Sequence, residues 1–162
     1  MSSTVSSDLQ GLSIHPMSDA DISAVFDIEQ RAYEHGWTEG ILKDCIRVGY
    51  LCWTVQIDEQ IIGYGIISVG AGEAHLLNLA IDPQFQKRGL GRRVLHFLLD
   101  IAQKRGAETI FLEVRDSNRS AIALYLDEGF NQIGVRNGYY PSDKGREDAI
   151  IMALSFSSQE ES

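Results

Sequence analysis

The sequence predicts an α/β (α+β) fold, a mixed, mostly antiparallel twisted sheet flanked by about four helices. Three observations predict it. Residues 50–57 and 60–69 are runs of β-branched and aromatic side chains separated by Asp58-Glu59, the pattern of a hairpin. Residues 90–105 carry apolar side chains at helical spacing, with Leu90, Val94, Phe97, Leu98 and Ile101 on one face and Arg93, His96, Asp100 and Gln103 on the other. That helix is flanked by strand-like runs at 74–81 and 109–114, so a crossover joins two parallel strands within an otherwise antiparallel sheet.

The remaining elements follow in order. Residues 12–15 read as a short strand, and Ser18 or Asp19 caps a helix that carries Ile22, Val25, Phe26, Ile28 and Glu29 toward Tyr33. A second short helix covers 38–47. Asp82-Pro83 stops the strand 74–81, and the loop 84–89 opens the long helix, which Gly106 closes. A helix over 118–128 ends at Gly129, and strands at 130–135 and 149–156 complete the chain, leaving the Tyr139-Tyr140-Pro141 step in a loop. One domain over 11–156 is expected between two disordered tails, 1–10 and an acidic 157–162.

Composition narrows the function. The chain has 162 residues, 44% hydrophobic and 23% charged, enough for one buried core. The Ser-rich start has neither a basic segment nor an apolar run, and no stretch reaches the length of a membrane span, so a cytoplasmic location without membrane association is expected. Two cysteines, Cys45 and Cys52, give no disulfide framework or zinc spacing, and the four histidines show no pair at ligand spacing, so no metal is expected. A formal charge of -9 argues against direct nucleic-acid binding; it suits either simple solubility or encounter with a basic macromolecule. Against that charge, Lys87, Arg88, Arg92 and Arg93 put four of the 14 basic side chains into one short stretch, a place for an anion.

Three features can carry chemistry. In Gln86-Lys87-Arg88-Gly89-Leu90-Gly91, two glycines lead into a helix whose first N–H groups lack internal partners. This is either an ordinary turn or a phosphate site, and it has neither a Walker Gly-Lys-Ser/Thr nor the three-glycine dinucleotide pattern. Glu113 alternates onto the face of Phe111 in an apolar strand, where desolvation would disfavour its charged form as a general base requires; the alternative is a structural ion pair with Arg115. Tyr125, among Ala121, Ile122, Leu124 and Leu126, reads most simply as a core aromatic with its hydroxyl satisfied. Cys45 and Cys52 have no neighbouring base or helix start to activate them and read as buried and inert.

Taken together, these blocks resemble the GCN5-related N-acetyltransferase (GNAT) superfamily. Asn78-Leu79-Ala80-Ile81-Asp82-Pro83 followed by Gln86 to Gly91 is similar to its acetyl-CoA strand and loop. Ile28-Glu29-Gln30-Arg31-Ala32, Phe111-Leu112-Glu113-Val114-Arg115, Asn118, Ala121 to Tyr125, Gly129-Phe130 and Gly145 to Met152 narrow the resemblance to the bacterial RimI group, the ribosomal-protein-alanine N-acetyltransferases. It covers residues 12–154.

The resemblance implies the GNAT fold and acetyl transfer from acetyl-CoA, as co-substrate, to the N-terminal alanine of a basic small-subunit ribosomal protein. By the same carry-over, the backbone of Lys87, Arg88, Gly89, Leu90, Gly91 and Arg92 holds the CoA pyrophosphate. Leu79, Ala80 and Ile81 align the pantetheine arm, the Ile81 N–H polarises the thioester carbonyl, and Asn118 also contacts the cofactor. Glu113 is the general base and Tyr125 the general acid. Glu29, Tyr139 and Tyr140 belong to the peptide side. Two departures fall in segments that flank the peptide: Gly36 stands where a Pro is expected before Trp37, and Asn137-Gly138 where Arg-Asn is expected before the tyrosine pair. The rival readings are the same fold acting on a lysine or small-molecule amine, and a non-catalytic acyl-CoA sensor.

Overall fold

The computed structural model describes residues 3–4 and 11–156. The tails expected at 1–10 and 157–162 therefore lie outside the described residues, apart from Ser3 and Thr4, which form a short strand β1 (Ser3–Thr4). The strands are β2 (Leu12–Pro16), β3 (Leu51–Ile57), β4 (Gln60–Gly70), β5 (Glu73–Ile81), β6 (Thr109–Arg115), β7 (Asn131–Ser142) and β8 (Gly145–Ser155); the helices are α1 (Ile22–Ala32), α2 (Glu39–Arg47), α3 (Leu90–Lys104) and α4 (Arg119–Asp127). Hydrogen-bonded neighbours run β1-β2-β3-β4-β5-β6-β8-β7. Only the β5–β6 pair is parallel among the pairings described, from Glu73↔Thr109 to Leu76↔Leu112, as the crossover through α3 requires. The chain divides into two compact units, Met1–Ile67 with Asn78–Leu98, and Ser68–Leu77 with Leu99–Ser162.

In the first unit, β2 and β3 pair from Leu12↔Ile57 to Pro16↔Trp53, and β3 turns into β4 through Asp58 and Glu59, both at positive φ (50° and 71°). Thr38 caps α2 by accepting the Ile41 N–H at 3.2 Å. The Asp21 carboxylate accepts the Ser18 N–H at 2.9 Å, in a single 3₁₀ turn that precedes α1. Burying β4 on both faces explains its unbroken apolar run: Ile62, Tyr64, Ile66 and Ile67 are all 0% exposed. α3 buries Leu90, Val94, Leu95 and Leu98, so its inward face is rotated to include Leu95, whereas Phe97 is half-buried and packs edge-on to Trp53.

In the second unit, β6 alternates strictly, with Ile110, Leu112 and Val114 buried and Thr109, Phe111, Glu113 and Arg115 on the more open face. β8 pairs with β6 from Thr109↔Ser155 to Arg115↔Ala149. The largest departure from expectation is β7, which runs to Ser142 and carries Tyr139-Tyr140-Pro141 as strand, not loop. Two register shifts interrupt it, and at the second, residues 137–139 face Asp148 alone, because Arg136 pairs with Ala149 and Tyr140 with Glu147. The Asn137-Gly138 departure is thus a bulge: the Gly138 N–H donates to Asp148 Oδ1 at 2.9 Å, and its carbonyl accepts Arg146 Nε at 2.8 Å.

Candidate active site

The Gln86–Gly91 loop lies in the first unit. Asp82 ends β5, its Oδ1 accepting the Gln84 N–H at 3.0 Å and Arg31 Nη1 at 2.6 Å. Asp82 is 3% exposed; burial alone would raise its pKa, but the Arg31 guanidinium and the Gln84 N–H outweigh that and hold it below the ordinary aspartate value. Gln86 reaches back to donate to the Ile81 carbonyl at 2.9 Å. Lys87 and Gly89 both take positive φ (66° and 78°), the backbone condition for N–H nests that hold phosphate. A Cβ on Gly89 would meet nothing within 4 Å, so the space beside the turn is open. The loop then enters α3 at Leu90, where first-turn N–H groups have no acceptor inside the helix. Backbone, charge and space therefore fit a phosphate-bearing ligand.

On β5, Ala80 and Ile81 are buried (4% and 7% exposed), and the Leu79 carbonyl accepts the Tyr33 hydroxyl at 2.7 Å. Glu29, on α1, is 2% exposed. Its Oε1 accepts the Tyr64 hydroxyl and Asn78 Nδ2, and its Oε2 accepts the Trp37 N–H at 2.8 Å. Burial pushes its pKa above the ordinary glutamate value, although the Trp37 and Asn78 bonds act the other way.

The second unit gathers Glu113, Tyr125, Tyr139 and Tyr140. Glu113 forms an ion pair, but its partner is Arg136 on β7, Oε2 to Nε at 3.0 Å, not Arg115. Nor is it sealed from solvent as its apolar strand suggested: its side chain keeps 30% exposure because it sits on the open face of β6. Arg115 instead pairs with Glu147 at 3.1 Å, donates to the Pro141 carbonyl at 2.7 Å and stacks on the Tyr140 ring at 4.4 Å. Arg136 lies 4.9 Å over the Tyr139 ring, which meets Tyr140 edge-on at 5.0 Å.

Burial pushes the Tyr140 phenol up to about 12, with Glu113 adding to the shift. Burial also drives the Tyr125 phenol far up, with Tyr140 adding to it. Tyr125 is 7% exposed and packs against Phe130 at 5.5 Å, so it is both a core aromatic and a phenol beside this cluster. Asn118 caps α4, its Oδ1 accepting the Ala121 N–H at 3.3 Å. Cys45 and Cys52 are buried and free, and burial raises both thiols, Cys52 to about 12, which keeps them unreactive.

Sequence reading missed Tyr64, Arg136 and the Arg31–Asp82 pair. The signal for Tyr64 was present: a lone phenol inside an apolar strand needs a hydrogen-bond partner. Arg136 had none, because a bulged strand does not announce its register.

No helix among the described residues is long and apolar enough to cross a membrane. A family model described as the Acetyltransferase (GNAT) family matches residues 22–130, which draw on both units. The ribosomal protein bS18-alanine N-acetyltransferase of Salmonella typhimurium is 45% identical over 141 residues, 87% of this chain and 95% of that protein. The protein of the same name from Escherichia coli is 43% identical over 144 residues, 89% of this chain and 97% of its own. The crystal structure of the ribosomal-protein-S18-alanine N-acetyltransferase from Escherichia coli matches with a TM-score of 0.84 at 42% identity, covering 89% of this chain and 93% of that one. The chain belongs to the GNAT acetyltransferase family.

Proposed function

We propose that this chain transfers the acetyl group of acetyl-CoA to a protein N-terminus, the alanine terminus of ribosomal protein bS18. Residues 11–156 act as one acetyltransferase domain in the cytoplasm. Identity of 43–45% over nearly the whole length of relatives named for that activity is the observation that carries the substrate. A net charge of -9 suits a basic ribosomal protein as the partner.

The backbone from Lys87 through Arg88, Gly89, Leu90 and Gly91 to Arg92 holds the pyrophosphate, helped by the positive φ at Lys87 and Gly89. Leu79, Ala80 and Ile81 align the pantetheine arm, with the Ile81 N–H directed at the carbonyl oxygen, and Asn118 adds a cofactor contact. Acetyl-CoA supplies an activated acetyl thioester. The substrate amine attacks the thioester carbon, the C–S bond breaks, Glu113 receives the proton that the amine loses, and Tyr125 gives its proton to the departing thiolate. The raised pKa of Tyr125 keeps the phenol protonated throughout the neutral range, so that its O–H is available to hydrogen-bond the departing thiolate as negative charge develops on the sulfur. Tyr139 and Tyr140 border the peptide and Arg136 orients Glu113. No acyl-enzyme is involved, in keeping with the buried cysteines.

Two peptides test the assignment: one with a free N-terminal Ala, the other blocked at its terminus with an exposed Lys. An α-amine has a pKa of about 7.7–8.0 and a lysine about 10.4, so near neutral pH lysine needs roughly 3.4 kcal/mol more to present a neutral nucleophile. The Ala peptide is expected to have much the larger kcat/KM, and intact-mass analysis of ribosomal proteins should show one acetyl added to bS18. Equal kcat/KM values would move the assignment to lysine. The absence of CoA release with any amine would leave the non-catalytic reading.

A further inference from the structure

Three side chains at the C-terminal end of α1 reach three successive points along β5 and its end. Glu29 accepts Asn78 Nδ2 at 3.1 Å, Tyr33 donates to the Leu79 carbonyl at 2.7 Å, and Arg31 donates to Asp82 at 2.6 Å. The residues between α1 and α2, 33–38, are thereby tied to the strand that the Gln86–Gly91 loop follows. Among these ties Glu29 is unusual. It is a buried carboxylate whose partners here are all neutral: the Tyr64 hydroxyl, the Asn78 amide and the Trp37 N–H. Asn78 Nδ2 also donates to the Tyr64 oxygen at 3.1 Å, closing a triangle that leaves the carboxylate little freedom to rotate.

The backbone at residue 36 lies directly on this carboxylate. A Cβ there would be 2.6 Å from Glu29 Oε2 and 2.9 Å from Cγ, distances that side-chain carbons do not tolerate. Gly36 is therefore the counterpart of Glu29: a residue without a Cβ permits the approach, and the Trp37 N–H completes it. The departure noted in the sequence has a physical partner eight positions before Trp37.

We propose that Glu29 is a positioning residue, which latches segment 33–38 through the Trp37 N–H and so sets one wall of the acceptor site without touching the acceptor. This rests on the reading above that the acetyl arm lies along Leu79–Ile81, because an amine reaching the thioester there passes beside a segment fastened to Leu79. It assigns to Glu29 a role distinct from that of Glu113: removing Glu29 loosens the approach of the peptide and leaves proton transfer in place.

The test uses Glu29→Ala, Glu29→Gln and Gly36→Ala in the full chain, each also in a Trp53→Phe background so that Trp37 alone reports by acrylamide quenching. Glu29→Ala is expected to raise the peptide KM by about tenfold or more while kcat at saturation and the acetyl-CoA KM stay within about threefold. Glu29→Gln keeps an acceptor oxygen for Trp37 and should restore most of the KM and the protected Trp37 signal. Gly36→Ala, which pushes the segment off the carboxylate, should copy Glu29→Ala. A Glu29→Gln loss of about 10²-fold in kcat with an altered pH profile would make Glu29 a proton-transfer group and overturn the proposal. A Trp37 signal unchanged in Glu29→Ala would overturn it too, and that readout holds whether or not the parent acetylates peptides. Failure of the parent on every peptide with Trp37 still released in Glu29→Ala would retain the latch and reject the function.

Discussion

Glu29 and Glu113 are two carboxylates treated in opposite ways by their surroundings. Glu29 sits inside the first unit, 2% exposed, among neutral donors. Glu113 sits on the open face of β6, its side chain 30% exposed and paired with Arg136, itself half in solvent. On the proposed mechanism, the acid that receives the proton is thus the more exposed of the two. The enclosed carboxylate has its lone pairs committed to a phenol, an amide and a backbone N–H. The open one has a single ion-pair partner on the exposed side, where such pairs are worth little, so it can change partners during a reaction at small cost.

The largest effect should come from the open member. Glu113→Gln keeps shape and loses the base, and kcat on an Ala-terminal peptide should fall by about 10²-fold or more while acetyl-CoA affinity, read by calorimetry, stays near the parent's. An unchanged kcat would erase the distinction drawn between the two acids. Next comes Asp82, a buried carboxylate that does have a cation. Asp82→Asn should lower stability by about 2 kcal/mol in denaturant unfolding, a figure kept modest because Arg31 is 40% exposed. The smallest effect sharpens the contrast through pH.

Asp82 has a folded pKa below its ordinary value, so its contribution is present above that ordinary value and is lost as acid takes the pH through the depressed one. Glu29 has a raised folded pKa, so stability is fully present below the ordinary glutamate value and declines as pH rises through the raised one. Unfolding midpoints measured across mildly acidic pH should therefore flatten on the alkaline side in Glu29→Gln and on the acid side in Asp82→Asn. Identical pH profiles for the two variants would mean that neutral donors and a guanidinium solvate these carboxylates equally well.

Local pattern made much of this legible. Alternation placed Glu113 correctly on the face of Phe111, and turn residues located the β3–β4 hairpin, because both signals are short-range. The Gln86–Gly91 loop was legible as a turn into a helix, and its positive φ at a non-glycine, Lys87, adds a strained position that only coordinates reveal. What failed was long-range. The strand expected at 130–135 is present, but nothing in residues 136–142 announces its continuation, since Gly138 and Pro141 interrupt any period and most of its side chains are exposed. The Glu29 triangle joins residues 35 and 49 positions apart, beyond the reach of any periodicity. The inward face of α3 was misjudged at Leu95 because a sheet covers a wider arc of a helix than a single apolar stripe suggests.

The bulge at residues 137–139 bears on how this hairpin changes over time. Because three residues there face one, a deletion within the bulge leaves Arg136 on Ala149 and Tyr140 on Glu147 and shifts only what lies between them, Tyr139 included. A single-codon deletion there moves Tyr139, 42% exposed, while Tyr140 and the β6 glutamate keep their register on β8. On the proposed reading, in which Tyr139 borders the acceptor, the length of this bulge tunes acceptor preference separately from Glu113 and Tyr125.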